Sequence, residues 1–173
     1  MGKSYSITGE LNLPLAEVLA RFSEGPSAGI FTDGSCQPNP GPGGWGCVLV
    51  KDGKVVSQRY GKDPDTTNNR MELTGIINGL ELLSEHPEVA GPVTIFTDSE
   101  LCVNTFNKWA DGWAARGWKR KTGPIANLDL VQRAYALYKN QSKAKLEWIK
   151  AHNGWLWNEY ADSLSTAWTR DEL

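Results

Sequence analysis

The sequence has few cysteines, no long apolar run and no excess of positive charge. Its 173 residues hold three cysteines, Cys36, Cys47 and Cys102, with no CxxC pair among them. That odd, scattered set excludes a disulfide framework and offers no zinc-finger spacing. No run of about 18 apolar residues is available to span a bilayer, so no membrane association is expected. The opening residues carry Lys3 but no continuous apolar stretch like that of a secretory signal. The expectation is therefore a cytoplasmic protein. Without such a signal, the Asn140-Gln141-Ser142 sequon and the Arg170-Asp171-Glu172-Leu173 tail are read as chance matches. Lys and Arg total 18 against 20 Asp and Glu, a net charge of -2. Any grip on a polyanion must then come from a local patch.

Among what is present, one tetrapeptide stands out. Ile30-Phe31-Thr32-Asp33 occurs again as Ile95-Phe96-Thr97-Asp98. Both copies read as a strand that ends on a carboxylate, in otherwise unlike surroundings, so they are not parts of a longer repeat. The length suits one domain with a sizeable core.

Residues 1–28 form a distinct opening segment with no assigned role. Leu11, Leu13, Leu15, Val18, Leu19 and Phe22 suggest a short amphipathic helix from about Pro14, and Glu24-Gly25-Pro26-Ser27 reads as a linker. A strand is expected from Gly29 to Cys36. The Gln37–Gly44 stretch, with its three prolines and three glycines, is expected to hold no regular element. Strands follow at 45–50 and 55–60, joined by the hairpin signal Asp52-Gly53. Apolar residues at helical spacing predict a helix over 69–84. A strand at 93–97, a helix after Ser99, a second short helix near Trp109 and Trp113, a basic loop at 116–121, a helix at 128–138, a strand at 145–150 and a last helix at 155–168 complete the chain. The order β-β-β-α-β-α-α-β-α implies a mixed sheet with helices on its faces. If the strand ending at Asp98 runs parallel beside the one ending near Asp33, strand spacing of about 4.8 Å lets both carboxylates share a cation.

Further carboxylates near element ends are Glu72 and Asp162. Each has a plain structural reading. Glu72, three residues after Asn69, fits a capping box; Asp98 can serve a helix start; Asp33 can be a turn residue; Asp162, with Glu159 as its competitor, can be a solvated helix face.

The segments DGSCQPNPGPGGWG, TTNNRMEL, TDSE, the tryptophan-rich basic stretch and KAHNGWLWNEYAD occur together in that order. With them the chain resembles type 1 ribonuclease H over roughly residues 29–168, and 29–170 is taken as the catalytic domain. The resemblance implies a ribonuclease H-like fold, a five-stranded mixed sheet in the order 3-2-1-4-5 with helices on both faces. It implies a metal-dependent endoribonuclease that cleaves the RNA strand of RNA–DNA hybrids to 5′-phosphate and 3′-hydroxyl ends. Asp33, Glu72, Asp98 and Asp162 map onto the metal-binding carboxylates, for two Mg²⁺ ions with Mn²⁺ as a substitute. His152 maps onto the loop histidine that moves protons or aids product release. Cys36, Asn39, Asn68 and Asn69 map onto RNA-strand contacts. Thr67 and Asn127 map onto a phosphate pocket for the DNA strand, and Trp109, Trp113, Arg116, Trp118, Lys119, Arg120 and Lys121 onto the basic protrusion that also holds it. A monomer is expected.

There are departures. Asp65 stands where a basic residue often helps hold phosphate. Leu101 replaces a frequent aromatic, Glu100 adds an acid near the metal site, and Ala151 replaces a glycine before the histidine. Two other classes compete with the enzyme reading. A catalytically silent nucleic-acid module would have lost a carboxylate, and an interaction protein with a bare acidic cluster would not bind Mg²⁺.

Overall fold

The computed structural model describes Ser4–Tyr5 and residues 11–173; of residues 4, 5 and 11 it describes the backbone alone. The expected apolar role of Leu11 therefore lies outside the described side chains. Strands β1 (Ser4–Tyr5) and β2 (Leu11–Asn12) pair antiparallel ahead of helix α1 (Leu15–Arg21). Strands β3 (Gly29–Cys36), β4 (Gly41–Lys51) and β5 (Lys54–Thr66) form an antiparallel meander, followed by α2 (Asn68–Glu85) and β6 (Val93–Thr97). Helix α3 (Glu100–Asn104), a π-helical turn (Thr105–Trp109) and α4 (Ala110–Ala115) run on directly from one another. Then come α5 (Leu128–Asn140), β7 (Ala144–Trp148) and α6 (Leu156–Thr166), which ends in a 3₁₀ turn (Ala167–Thr169).

The main sheet has the order β5-β4-β3-β6-β7, with β6 parallel to both β3 and β7. Counted from β3, this is the expected 3-2-1-4-5. Alternation along β3 sends Ile30 to one face and Phe31 to the other. Ile30, Leu49, Ile95 and Leu146 pack against Ile76, Leu80 and Leu83 of α2 and Val131 and Ala134 of α5. Phe31, Val48, Val50 and Phe96 pack against Tyr160, Ala161 and Leu164 of α6 and Val18 of α1. Burying a side chain such as Val18, 1 % exposed, stabilises the fold by about 1.5–3 kcal/mol.

The structure differs from expectation in four places. Strand β4 begins at Gly41, inside the Pro/Gly stretch, where Gly43, Gly44 and Gly46 pair with Cys36, Ser35 and Asp33. Glycine is needed there because α6 lies on the strand: a Cβ on Gly44 would sit 2.2 Å from the Ser165 carbonyl. Strand β5 runs on to Thr66, past Pro64, which an edge strand tolerates because one of its sides needs no ladder donor. Helix α2 is capped by Thr67, whose Oγ1 accepts from the Arg70 N–H at 3.2 Å. Glu72 then lies two positions beyond N3, so the capping-box reading fails. The Glu24–Ser27 stretch is tied down: the Leu156 N–H donates to the Glu24 carbonyl at 2.9 Å, and the Gly53 N–H to that of Ser27 at 2.8 Å.

Residues 12–15 and the C-terminal residues meet at α6. The Ser163 hydroxyl donates to the Leu13 carbonyl at 2.6 Å. The Leu15 N–H donates to the Leu173 backbone oxygen at 2.8 Å. The Arg170 guanidinium bonds Asn12, Thr166 and Ser163.

Candidate active site

The two copies of the tetrapeptide are neighbours in register. Ile30 pairs with Ile95 and Phe31 with Phe96 across the parallel β3/β6 ladder. The two phenylalanine rings stack at 4.8 Å, and the Thr32 hydroxyl donates to the Phe96 carbonyl at 3.2 Å. Asp33 and Asp98 therefore emerge at the same end of the sheet. Ser99 turns the chain at once into α3, its Oγ accepting from the Cys102 N–H, and the Trp148 indole N–H bonds the Asp98 carbonyl at 3.1 Å.

Glu72 and Asp162 come from helices on opposite faces, each seated over a glycine. A Cβ on Gly34 would lie 2.3 Å from the Met71 carbonyl carbon and 2.6 Å from the Glu72 nitrogen. One on Gly46 would lie 2.4 Å from Leu164 Cβ. The missing methyls let α2 and α6 close on the end of the sheet that carries Asp33.

Oxygens of Asp33, Glu72 and Asp98 all lie within 4.8 Å of one another. Burial pushes the Asp33 carboxyl well above its usual range, and the negative Asp98 and Asp162 push it further. A hydrogen bond from the Gly34 N–H at 2.9 Å opposes them. Burial likewise raises Glu72, with Asp33 and Asp98 adding to it. One oxygen of Glu72, Oε2, is buried without a hydrogen-bond partner. Packed carboxylates with an orphaned oxygen are unfavourable alone and become favourable around a cation. An all-oxygen donor set suits a hard divalent ion such as Mg²⁺ or Mn²⁺. The nearby Cys102 stays a thiol, because burial pushes it up to about 11.

All five residues expected to do chemistry line one cavity of about 240 Å³, together with Cys36 and Asn68. His152 stands at its rim, exposed, on a loop residue with φ of +50°. Of the two acidic candidates on α6, Asp162 faces Asp33 and helps to raise it, whereas Glu159 lies 3.6 Å from His152 Nδ1. Ser35 and Gln37 also line the cavity; they sit within the DGSCQPNP motif, but nothing in that motif marks them apart from their neighbours.

The expected RNA-strand residues are bonded to each other. The Cys36 N–H donates to Asn68 Oδ1 at 2.7 Å, and Asn39 Oδ1 accepts from the Asn68 N–H at 3.2 Å and the Cys36 thiol at 3.3 Å. Asn69 lies apart from them, lining a smaller cavity of about 110 Å³ with Asn127. Near Thr67 the structure brings up a cation that Asp65 argued against. Arg70 reaches Asn127 Oδ1 at 3.5 Å and pairs with Asp129 at 3.0 Å. The signal was the arginine within NNRMEL, which carries no weight until α5 is known to lie alongside.

A groove of about 830 Å³ is lined by Trp109, Trp113, Arg116, Lys119, Arg120 and Lys121. Trp109 and Trp113 lie 6.1 Å apart, and the Arg120 guanidinium sits 5.8 Å over the Trp113 ring. Trp118 does not join them. At φ of +64° it meets Tyr135 edge-on at 5.2 Å and, like Trp113, packs against the main core.

The ribonuclease H family model matches residues 26–169. A ribonuclease H of Gluconobacter oxydans is 46% identical over 151 residues, which cover 87% of this chain and 96% of the relative. Among solved structures, LC9-RNase H1, described as a type 1 RNase H with the type 2 active-site motif, superposes with a TM-score of 0.67. It is 34% identical, over 84% of this chain and 74% of its own. The N-terminal RNase H domain of a Mycobacterium tuberculosis protein, solved as a fusion with maltose binding protein, superposes with a TM-score of 0.63. It is 27% identical, over 80% of this chain and 89% of its own.

Proposed function

The chain belongs to the ribonuclease H family, and from that premise we propose that it is an endonuclease hydrolysing the RNA strand of RNA–DNA hybrids to 5′-phosphate and 3′-hydroxyl ends. The observation that carries the reading is the buried, unpartnered Glu72 Oε2 beside the clustered oxygens of Asp33 and Asp98. Asp33, Glu72, Asp98 and Asp162 would hold two Mg²⁺ ions, or Mn²⁺ in their place. When bound, the ions supply charge that makes an attacking water acidic and steadies the departing 3′ oxygen. The chain's part is to hold four carboxylates on rigid elements, so that no reorganisation is needed as charge develops. His152, at the rim, moves a proton at its imidazole.

Cys36 and Asn68, which line the cavity, and Asn39, bonded to both, are suited to reading 2′-hydroxyls on one strand. The DNA strand would cross the tryptophan-lined basic groove, with Thr67, Arg70 and Asn127 on a phosphate. All four carboxylates come from one chain, which supports a monomer. Work in the cytoplasm is part of the same proposal; among the described residues no helix is long and apolar enough to cross a membrane. We assign residues 29–170 to the catalytic domain, with α1 docked on it.

Labelled RNA–DNA hybrid, RNA duplex and DNA duplex, each with and without Mg²⁺, test the reading. Cleavage of the hybrid alone, and only with the ion, is expected; equal cleavage of the DNA duplex refutes it. His152→Ala should lower turnover by about 10²-fold with Mg²⁺ affinity, read by calorimetry, nearly unchanged. A collapse of affinity would make the histidine a ligand instead. Replacing Arg116, Lys119, Arg120 and Lys121 with Ala should weaken hybrid binding. The salt dependence should flatten by about 0.9 for each duplex phosphate that is no longer neutralised. Cleavage at saturating substrate should persist, and an unaltered salt slope would leave the groove a solvated surface.

A further inference from the structure

We propose that Glu159 is a positioning residue for His152 and acts on the reaction only through that ring. The inference rests on the reading of His152 as a proton carrier given above.

Glu159 lies in the first turn of α6, its side chain only 11 % exposed. A carboxylate so covered needs a polar partner, and His152 Nδ1 stands 3.6 Å from Oε2. The histidine needs holding as well. Its backbone sits in the left-handed region, at φ of +50°, uncommon for a residue other than glycine. The exposed Ala151 precedes it.

The loop beyond the histidine is pinned to the start of α6. Asn153 Oδ1 accepts from the Trp155 N–H at 3.0 Å and from Asn158 Nδ2 at 3.3 Å, and Asn158 is buried. Backbone anchoring of this kind fixes where the imidazole starts but not which way the ring faces. Glu159 acts on the ring itself.

The spacing of Glu159 and Asp162 puts them on one face of α6, yet they divide the work. Asp162 faces Asp33 and raises it, while Glu159 lies nearest the histidine ring at 3.6 Å, in a group where His152, Glu159 and Asp162 offer atoms within 4.8 Å of one another. At 3.6 Å the carboxylate is beyond hydrogen-bond distance of Nδ1, but its charge favours a proton on that nitrogen, which leaves Nε2 the basic one. Ring orientation and tautomer would then be set before substrate arrives.

Two plainer roles compete: a ligand to a cation in the cluster, and a first-turn charge favoured by the helix dipole. A double-mutant cycle separates them. Glu159→Ala should lower kcat by about 10-fold, the scale for loss of an orienting partner, with KM little changed. In a His152→Ala background it should lower kcat no further. Glu159→Gln, which keeps an acceptor oxygen, should recover most of the loss and guards against a variant that merely unfolds. In metal-free protein the ring-nitrogen NMR signals of His152 should move on Glu159→Ala, and Mg²⁺ affinity by calorimetry should not. Additive losses, a fall in Mg²⁺ affinity or unmoved ring signals would each overturn the proposal. Ring signals that move while His152→Ala itself leaves kcat intact would uphold the positioning and refute the proton role instead.

Discussion

Asp33→Asn is expected to abolish cleavage in Mg²⁺ and, in chelator, to raise the melting temperature. Both effects come from the same charge. Asp33 is the carboxylate that faces both Asp98 and Asp162, and under the proposed function it would help to hold the metal charge. Its removal should cost at least about 10²–10³-fold in rate, the range for loss of one preorganised electrostatic contributor. Without metal the charge is a liability, because burial and two acidic neighbours hold the Asp33 carboxyl up, and Glu72 beside it is raised for the same reasons. An elevated folded-state pKa means that the native chain keeps protons the unfolded chain has released. The contribution to stability is fully present below the ordinary carboxylate range, about pH 4, and is lost as pH rises through the elevated value. At neutral pH, therefore, the cluster strains the metal-free protein. The neutral isostere relieves it, by about 2–4 °C for each kcal/mol in a chain of this size. The difference between variant and wild type should shrink as pH falls toward about 4 and change sign in saturating Mg²⁺. The carboxylates shifted the other way, Glu88, Asp111 and Asp129, are surface groups paired with His86, Lys139 and Arg70; solvent screens such pairs. Substantial activity in the variant would remove Asp33 from the site, and a lower melting temperature in chelator would make it a structural residue.

Gly34→Ala should be nearly as damaging although it removes no functional group. The added Cβ would lie 2.3 Å from the Met71 carbonyl carbon and 2.4 Å from its oxygen. These are backbone atoms of α2, so no side-chain rotation relieves the overlap and the helix must retreat. Overpacking of this kind costs about 1–3 kcal/mol, which leaves the chain folded. Glu72, the next residue on that helix, retreats with it. A displacement of about 1 Å at a reacting centre is enough for a 10²-fold loss. Circular dichroism should show a native spectrum with a lowered melting temperature, while kcat falls by about 10²-fold and Mg²⁺ binding weakens. Wild-type kcat in a folded variant would show that the approach of α2 to β3 does not set the spacing of the carboxylates.

Much of this is legible in the sequence where a local pattern meets one physical cause. The repeated tetrapeptide predicts two parallel strand ends, and Ile30 and Phe31 do pair with Ile95 and Phe96. The apolar period over 69–84 predicts α2 to within a residue at each end. What escapes depends on partners distant in sequence. Gly43 and Gly44 read as loop punctuation, because only the arrival of α6 explains why a strand there must lack side chains. Asn69 reads as the cap of α2 in place of Thr67, since both residue types serve and the choice falls to the backbone at the end of β5. Trp118 resembles its groove neighbours in composition, but the left-handed turn at Gly117 and Trp118 sets it edge-on to Tyr135. The nearness of Arg70 to Asn127 and of Glu159 to His152 follows from helix placement alone.

The grip of Leu13, Val18 and Arg170 on α6 bears on how portable the catalytic unit is. The span matched by the family model stops short of both halves of that grip: residues 26–169 leave out Leu13 and Val18 on one side and Arg170 on the other. A chain cut to those limits would retain all four carboxylates of the candidate site and every strand of the main sheet. It would also uncover the apolar back of the helix that carries Asp162, and release Ser163, the next residue, from the Leu13 carbonyl and the Arg170 guanidinium. A chain that keeps this grip is therefore longer than the family-matched span. Its outermost residues act as a buckle that closes behind the active site.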